Sequence, residues 1–484
     1  MEKFKLKKLI VFAVVMAMMT VMVAGCSTTG DTSSSEGPIS FVDDEGNQID
    51  LDQPCTRVIS LYSAHTENLF YLGAGDKIIG NYKTGIYPAA ASEIETFDYN
   101  SDPEKVIAAE PDCVIIRPFI SEKAPDFVEA IKSAGIPVVS LYPESKDDFE
   151  SYITRLAMIV GAEDQAEEQL ALLDSEISDI EDTVSAIPED EKQTLFFEST
   201  EENVRTVTAD SMAGQAIESA GGINIAADAE AITEGSSIAV FGEEAVLEQA
   251  NNIDVYVSQS GSMNGGGDVE SIEARAGFDT IKAVKDGRVY TIDEKLISSP
   301  TFRQYKGVRE LARFLYPDVM DDYSAYENDE MATREDMAYV VVKAAHLPIW
   351  TTSSSSYYSK TTEGHIYGMF EDVDWQADDF DYIETATMSG AMNGYVEDEK
   401  EYFKPEDKVT REDLAIAVAA LGDFTDSATT TSISDLDTCD NPETTQLVVD
   451  HGIMDLQDGA FNPTATVTNQ EVVDTINAAL ATTE

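Results

Sequence analysis

Basic residues are scarce in this chain: 31 Lys and Arg stand against 92 Asp and Glu, a formal net charge of −61 over 484 residues. A field of that sign repels phosphate backbones, so nucleic acid is excluded as a partner. Cysteine and histidine number four each. Cys26, Cys55, Cys113 and Cys439 are too scattered for a disulfide framework or a zinc site, and the histidines form no paired metal motif. Catalytic signatures are missing too. Gly73-Ala74-Gly75 precedes a strand rather than a helix, Gly265-Gly266-Gly267 lacks a following Lys-Ser/Thr, and no nucleophile elbow occurs. Acidic runs such as Asp378-Asp379-Phe380-Asp381 lack calcium-loop spacing and suit a solvated face. No enzyme, resident cofactor or protein-held metal is expected. Hydrophobic residues still make up 43%, so the acidity decorates folded domains.

Long apolar runs are also rare. The one present, Leu9 to Val23, follows Lys3, Lys5, Lys7 and Lys8 and ends at Ala24-Gly25-Cys26. It is shorter than the roughly 20 residues of a spanning helix and reads as a secretory signal peptide. Val23-Ala24-Gly25-Cys26 resembles the lipobox of bacterial lipoproteins, with Val in place of the usual Leu, which makes Cys26 the lipidation site. The polar tract Ser27 to Gly37 is a flexible tether.

The chain is organised around Glu163 to Ile187. Ala166, Leu170, Leu173, Ile177, Ile180 and Val184 alternate steps of four and three on one helix face, uninterrupted until Pro188. Alone, such a stripe would suit a coiled coil. Here alternating strand and helix patterns flank it on both sides. Before it come a hairpin at 39–51 and buried parallel strands at 57–62, 77–82, 113–117 and 137–142. Helices begin near Thr66, Pro103 and Lys123, and another covers 147–160. After it come strands at 195–198, 254–258 and 288–293, with helices at 212–220, 244–250 and 302–315. The expected fold class is α/β: two doubly wound lobes joined by one long helix, with ligand binding between the lobes.

From about Tyr323 the composition changes, and an internal repeat emerges. Ala332-Thr333-Arg334-Glu335-Asp336 recurs as Val409-Thr410-Arg411-Glu412-Asp413 and, degraded, as Val467-Thr468-Asn469-Gln470-Glu471. Phe403-Lys404-Pro405 and Phe461-Asn462-Pro463 precede the second and third copies. The Ser/Tyr run 351–358 reads as a loop. The expected domains are a signal peptide with lipobox (1–26), tether (27–37), first lobe (38–160), connecting helix (161–189), second lobe (190–322) and mainly helical repeats (323–484).

Ligands of open α/β lobes meet the loops at the carboxyl ends of strands. In the first lobe these supply Tyr62, Ser63, His65, Tyr82, Lys83, Arg117 and Phe119; in the second, Ser199, Thr200, Gln259, Ser260, Lys295, Ser298 and Arg303. Aromatics with a few cations suit a large, partly anionic ligand. The plainer alternative is that each cation pairs with a nearby carboxylate.

The hairpin, the run RVISLYSAHTENLFYLGAGDKIIG, the EPDCVII strand and the long helix together resemble the substrate-binding proteins of ABC importers for ferric siderophores, haem or cobalamin, over about 38–320. The resemblance implies a class III solute-binding protein whose permease and ATPase are its partners, with one Glu on each lobe's outer surface docking onto permease arginines. The matching positions are Glu67 and Glu244, with Glu243 adjacent. The tail resembles S-layer homology modules, which hold proteins to wall polysaccharide. That match is good over 370–415, partial over 325–347 and weak over 433–480, and it implies wall binding through Arg334 and Arg411. The functional expectation is a lipid-anchored cell-surface protein that captures an iron complex or cobalamin for an importer. The rival is a wall-associated adhesion or structural protein without transport. In a flavodoxin-like strand order, the starts of the first and third strands would also bring Cys55 and Cys113 within disulfide reach.

Overall fold

The computed structural model describes residues 37–265, 267–351, 365–424 and 430–483. The leader, Cys26, the tether before Gly37, and the Ser/Tyr run beyond Thr351 lie outside the described residues.

The first lobe opens with the expected hairpin, β1 (Ile39–Val42) and β2 (Gln48–Leu51), paired antiparallel. Its turn is held by Asp43, whose Oδ1 accepts from the backbone of Glu45 and Asn47. Then follow β3 (Val58–Ser60), β4 (Ile78–Tyr82), β5 (Thr96–Phe97), β6 (Cys113–Ile116) and β7 (Val138–Ser140). They form one parallel sheet in the order β5-β4-β3-β6-β7. Every residue of β3, β6 and β7 is buried, as a sheet covered by helices on both faces requires.

The second lobe repeats the plan. β8 (Thr194–Glu198), β10 (Ile223–Asn224), β12 (Val255–Ser260) and β13 (Val289–Asp293) form a parallel sheet ordered β10-β8-β12-β13. β9 (Thr206–Val207) and β11 (Ile238–Ala239) pair antiparallel beside it. Sequence patterning missed β5, β9, β10 and β11. At two residues each they carry no periodicity, and tertiary packing sets them.

The long helix covers Glu163–Ser185. At ~1.5 Å per residue it spans roughly 35 Å. Its stripe serves two cores: Ala166, Leu173 and Ile177 enter that of the first lobe, Ile180 and Val184 that of the second. Leu170 packs partly buried at the edge. A helix that supplies side chains to both cores cannot pivot freely against either. The second lobe closes with the helix Gln304–Leu315, whose Arg309 ion-pairs with Glu176 of the long helix.

The tail is mainly helical, with helices Arg334–Ala344, Phe380–Met388, Arg411–Leu421, Pro442–Asp450 and Asn469–Leu480. One hairpin, β14 (Tyr395–Glu397) with β15 (Lys400–Tyr402), interrupts them. Thr333, Thr410 and Thr468 each cap a helix through a reciprocal capping box with Asp336, Asp413 and Glu471. The three copies close on one another. Ala332 N–H donates to Val467 O, Val467 N–H to Val409 O, and Val409 N–H to Ala332 O, at 3.0, 3.1 and 3.0 Å. The third copy, weak as sequence, thus completes a triangle with the other two. No helix among the described residues is long and apolar enough to cross a membrane.

Two expectations for the tail are corrected here. Arg334 is 1% exposed. Its guanidinium donates to Phe403 O at 2.9 Å, Asp413 Oδ1 at 2.7 Å and Asn393 O. Arg411 likewise donates to Phe461 O at 2.7 Å and Asp455 O at 2.6 Å. Both arginines tie one repeat to the next and are not open forks for a wall glycan. In the third copy Asn469 instead reaches Asn328, and its backbone N–H donates to Glu330 O.

Candidate functional site

Between the lobes lies a cleft of about 480 Å³, built where the carboxyl ends of both sheets face each other. Of the fourteen strand-end expectations, Tyr62, Tyr82, Arg117, Gln259 and Lys295 meet there. Ser63, Phe119, Ser199 and Ser298 join them. Arg117 follows β6 and stacks over the rings of Tyr62 and Phe119, with its guanidinium carbon 4.7 Å from each centroid. No carboxylate among the described residues forms an ion pair with it, which is notable in so acidic a chain. Across the cleft Lys295 Nζ lies 3.4 Å from Ser63 Oγ of the opposite lobe and 3.6 Å from Glu294. Ser298 Oγ donates to Gln259 Oε1 at 2.7 Å, and Gln259 Nε2 to Ser199 O at 2.8 Å, so the second lobe's polar wall is pre-ordered.

The remaining expectations fall elsewhere. His65 is fully buried, with Nδ1 2.8 Å from Tyr152 Oη and Nε2 3.1 Å from Ile116 O. Burial pushes its pKa down to about 3, so the imidazole is a neutral part of the packing. Lys83 points to solvent and pairs with Asp98 at 3.5 Å. Arg303 is 2% exposed and holds Glu67 in a two-pronged pair, Nε to Oε1 at 2.6 Å and Nη2 to Oε2 at 2.7 Å. The pair also corrects the docking expectation for Glu67. A carboxylate 4% exposed and clasped by a buried guanidinium is not an outer-surface contact. Glu244, by contrast, is exposed in the first turn of the helix Glu243–Glu248.

The cleft also holds residues that sequence reasoning missed. Tyr142, at the end of β7, followed from the same strand-end rule and was overlooked; it sits 6.1 Å from Tyr62 between ring centroids. Tyr99 stacks on Tyr82 at 5.3 Å and comes from the loop after β5, a strand with no sequence signal. Burial first, then Tyr142, raises the pKa of Tyr62, which stays a neutral hydrogen-bonding phenol. Glu294 is a buried acceptor that takes the Met263 N–H at 2.9 Å. The close approach depends on Gly261, at φ +139°, where a Cβ would lie 2.4 Å from the Glu294 carboxyl carbon. Behind it Asp293 leaves Oδ2 unpartnered, and burial raises its pKa to about 6.

A larger hollow of about 640 Å³ runs along the long helix and gathers Asp147, Glu150, Glu163, Glu167 and Asp174 around one lysine, Lys146. It lacks the aromatic and cationic set of the interlobe cleft. Chemically, that cleft can grip a bulky, ring-bearing, partly anionic molecule. Among the described residues no group of three or more His, Cys, Asp or Glu is arranged to hold a metal ion.

Comparison with known proteins agrees with this geometry. Residues 58–296 match the periplasmic binding protein family, and 371–415 the S-layer homology domain. An uncharacterized ABC transporter substrate-binding lipoprotein, YvrC of Bacillus subtilis, is 27% identical over 312 residues, covering 62% of this chain and 95% of its own length. The vitamin B12-binding protein of Vibrio parahaemolyticus is 24% identical over 264 residues, covering 54% of this chain and 89% of its own. A possible iron-binding periplasmic solute-binding protein from Staphylococcus epidermidis is 25% identical, with a TM-score of 0.48, covering 55% of this chain and 100% of its own. Residues 58–296 therefore carry the match to the periplasmic binding protein family, and an S-layer homology domain match follows at 371–415.

Proposed function

We propose that the chain is a cell-surface lipoprotein that captures an iron complex, haem or a corrinoid between its lobes and hands it to an ABC importer. The observation that carries this reading is Arg117, a cation stacked between Tyr62 and Phe119 at the cleft with no ion-paired carboxylate among the described residues. A charged donor left open in a −61 chain suits an incoming anion, and the surrounding tyrosines suit flat rings. Native mass spectrometry of the chain from Ser27 onward, against cobalamin, haemin and a panel of ferric siderophores, tests it. One class should bind one to one, and Arg117→Ala should weaken it by about 1.5–3 kcal/mol, as for a lost hydrogen bond to a charged group. Binding of none at micromolar concentration would overturn the reading.

Docking to a permease needs an exposed carboxylate on each lobe. Glu244 keeps that role in the second lobe. For the first lobe, Glu104 holds the equivalent place. Glu104 and Glu244 each sit exposed in the first turn of a short helix, two residues before a buried valine, Val106 and Val246. Each helix leads to an aspartate that latches the neighbouring strand: Asp112 exchanges hydrogen bonds with the backbone of Arg57, and Asp254 with that of Thr194. Charge reversal at Glu104 and Glu244 should abolish uptake and leave ligand affinity nearly unchanged; a large loss of affinity would rule the assignment out. The anchor is assigned to Cys26, and Cys26→Ala should release the protein from membrane pellets. Wall attachment is assigned to the module as a whole. Because Arg334 and Arg411 hold the repeats together, replacing them should lower wall sedimentation and melting temperature in step.

A further inference from the structure

The helical module touches both lobes at once. Its Trp375 lies in an aromatic pocket of the first lobe, edge-on to Tyr71 at 4.7 Å and to Tyr87 at 5.6 Å. The Tyr87 hydroxyl also donates to Trp375 O at 3.4 Å. Six residues further on, Asp381 takes Lys306 of the second lobe's last helix at 2.9 Å, with both side chains largely buried. The same helix is held twice more: Arg313 donates to Leu347 O at 2.9 Å, and Glu310 accepts the Ile349 N–H at 2.8 Å. Under this cover lies the seam between the lobes. Asn68 donates to Pro300 O at 2.9 Å and accepts from Phe302 N at 3.2 Å, and Arg303, clasping Glu67, stacks 3.8 Å over Tyr87.

We propose that the module is an intramolecular brace that fixes the angle between the lobes, so that the cleft keeps one aperture before any ligand arrives. Rotation of one lobe about the long helix must either withdraw Trp375 from its ring pocket or part Lys306 from Asp381. Neither can be exchanged for water without opening the buried seam. Packed contacts of this kind switch between discrete arrangements and do not yield gradually. With only the long helix to limit the hinge, the lobes would sample a wider range of openings, and apparent affinity would fall by the fraction of time spent in the competent one. The brace rests only on contacts within this chain and stands whatever the cleft binds.

The test uses the full mature chain with spin labels at Lys132→Cys and Asp279→Cys, exposed sites on the two lobes, and with Cys439→Ser removing the half-buried thiol. The parent should give one narrow interlobe distance. Trp375→Ala combined with Asp381→Asn should broaden that distribution by about twofold or more and speed hydrogen exchange at the Phe302 amide. Should the double variant unfold the module, the lobes have equally lost their brace and the same broadening is expected. Asp381→Asn alone, nearly isosteric, should give an intermediate width, and Val396→Ser at the exposed tip of β14 should change nothing. An unchanged distribution in the double variant would overturn the proposal.

Discussion

At the scale of the residue, Glu67 shows how burial redirects a charge. In the sequence it is an acid near a helix start, worth a few tenths of a kcal/mol there. In the fold it neutralises a guanidinium from 236 positions away. Glu67→Gln should cost about 3–5 kcal/mol in urea unfolding, because the buried Arg303 would lose its counter-charge. A loss of uptake without any loss of stability would return Glu67 to the surface. Cys55 and Cys113 tell a related story. Strand order brings them together as expected, yet both are free thiols, 2% and 0% exposed. Their mutual hydrogen bond and burial push the Cys113 thiol pKa well up. Iodoacetamide at pH 8 should leave both unlabelled in the folded protein and label both after unfolding in denaturant. Rapid labelling of the native chain would contradict that packing. The cysteine pair was legible through strand order alone, whereas the Glu67–Arg303 pair was not, since two residues so distant in sequence leave no local pattern.

Elements were more legible. The long helix and the apolar strands β3, β6 and β7 declare themselves by period and by continuous burial, and the strand-end rule then delivered Tyr62, Arg117 and Gln259 to the cleft. It failed for His65, Lys83 and Arg303, because a strand end says where a residue sits and not which way its side chain turns. The repeat motif was seen, but its physical content was misplaced: the Thr is a helix cap and the Arg a tie. Thr410→Ala should cost ~1 kcal/mol, and Arg411→Ala more, since its loss strands the buried Phe461 carbonyl and also releases that of Asp455. Chemical denaturation of the pair would rank them, and the reverse order would refute the tie. His365, clamped between Glu384 at 3.1 Å and Glu401, adds a pH dependence to the same module. Burial alone would depress its pKa, but hydrogen bonds and charge from both glutamates hold it above the ordinary value. The imidazolium's stabilising contribution is therefore complete below pH ~6.5 and fades as pH rises through the elevated folded value. Burial raises the Glu384 pKa as well, which works in the same direction. The melting temperature of the parent should fall relative to His365→Gln between pH 6 and 9, and parallel curves would remove His365 as the cause.

For the whole molecule, the dominant quantity is charge. A net −61 strains the compact state by self-repulsion, so melting should rise as salt increases from ~0.01 to ~0.15 M, where the screening length shortens from about 30 to 8 Å. Sedimentation with acidic wall polymer should improve over the same range, and a steady decline with salt would mean that simple attraction holds the complex. The closed triangle of Ala332, Val409 and Val467 has a further consequence, for the order in which the chain is made. The first repeat takes its closing bond from a residue 135 positions later, and Glu330 waits for Asn469. As the polypeptide emerges during synthesis, the lobes can fold, but the ring stays open until the third repeat has followed. A premature stop before Val467 would thus remove the keystone on which the two earlier repeats wait.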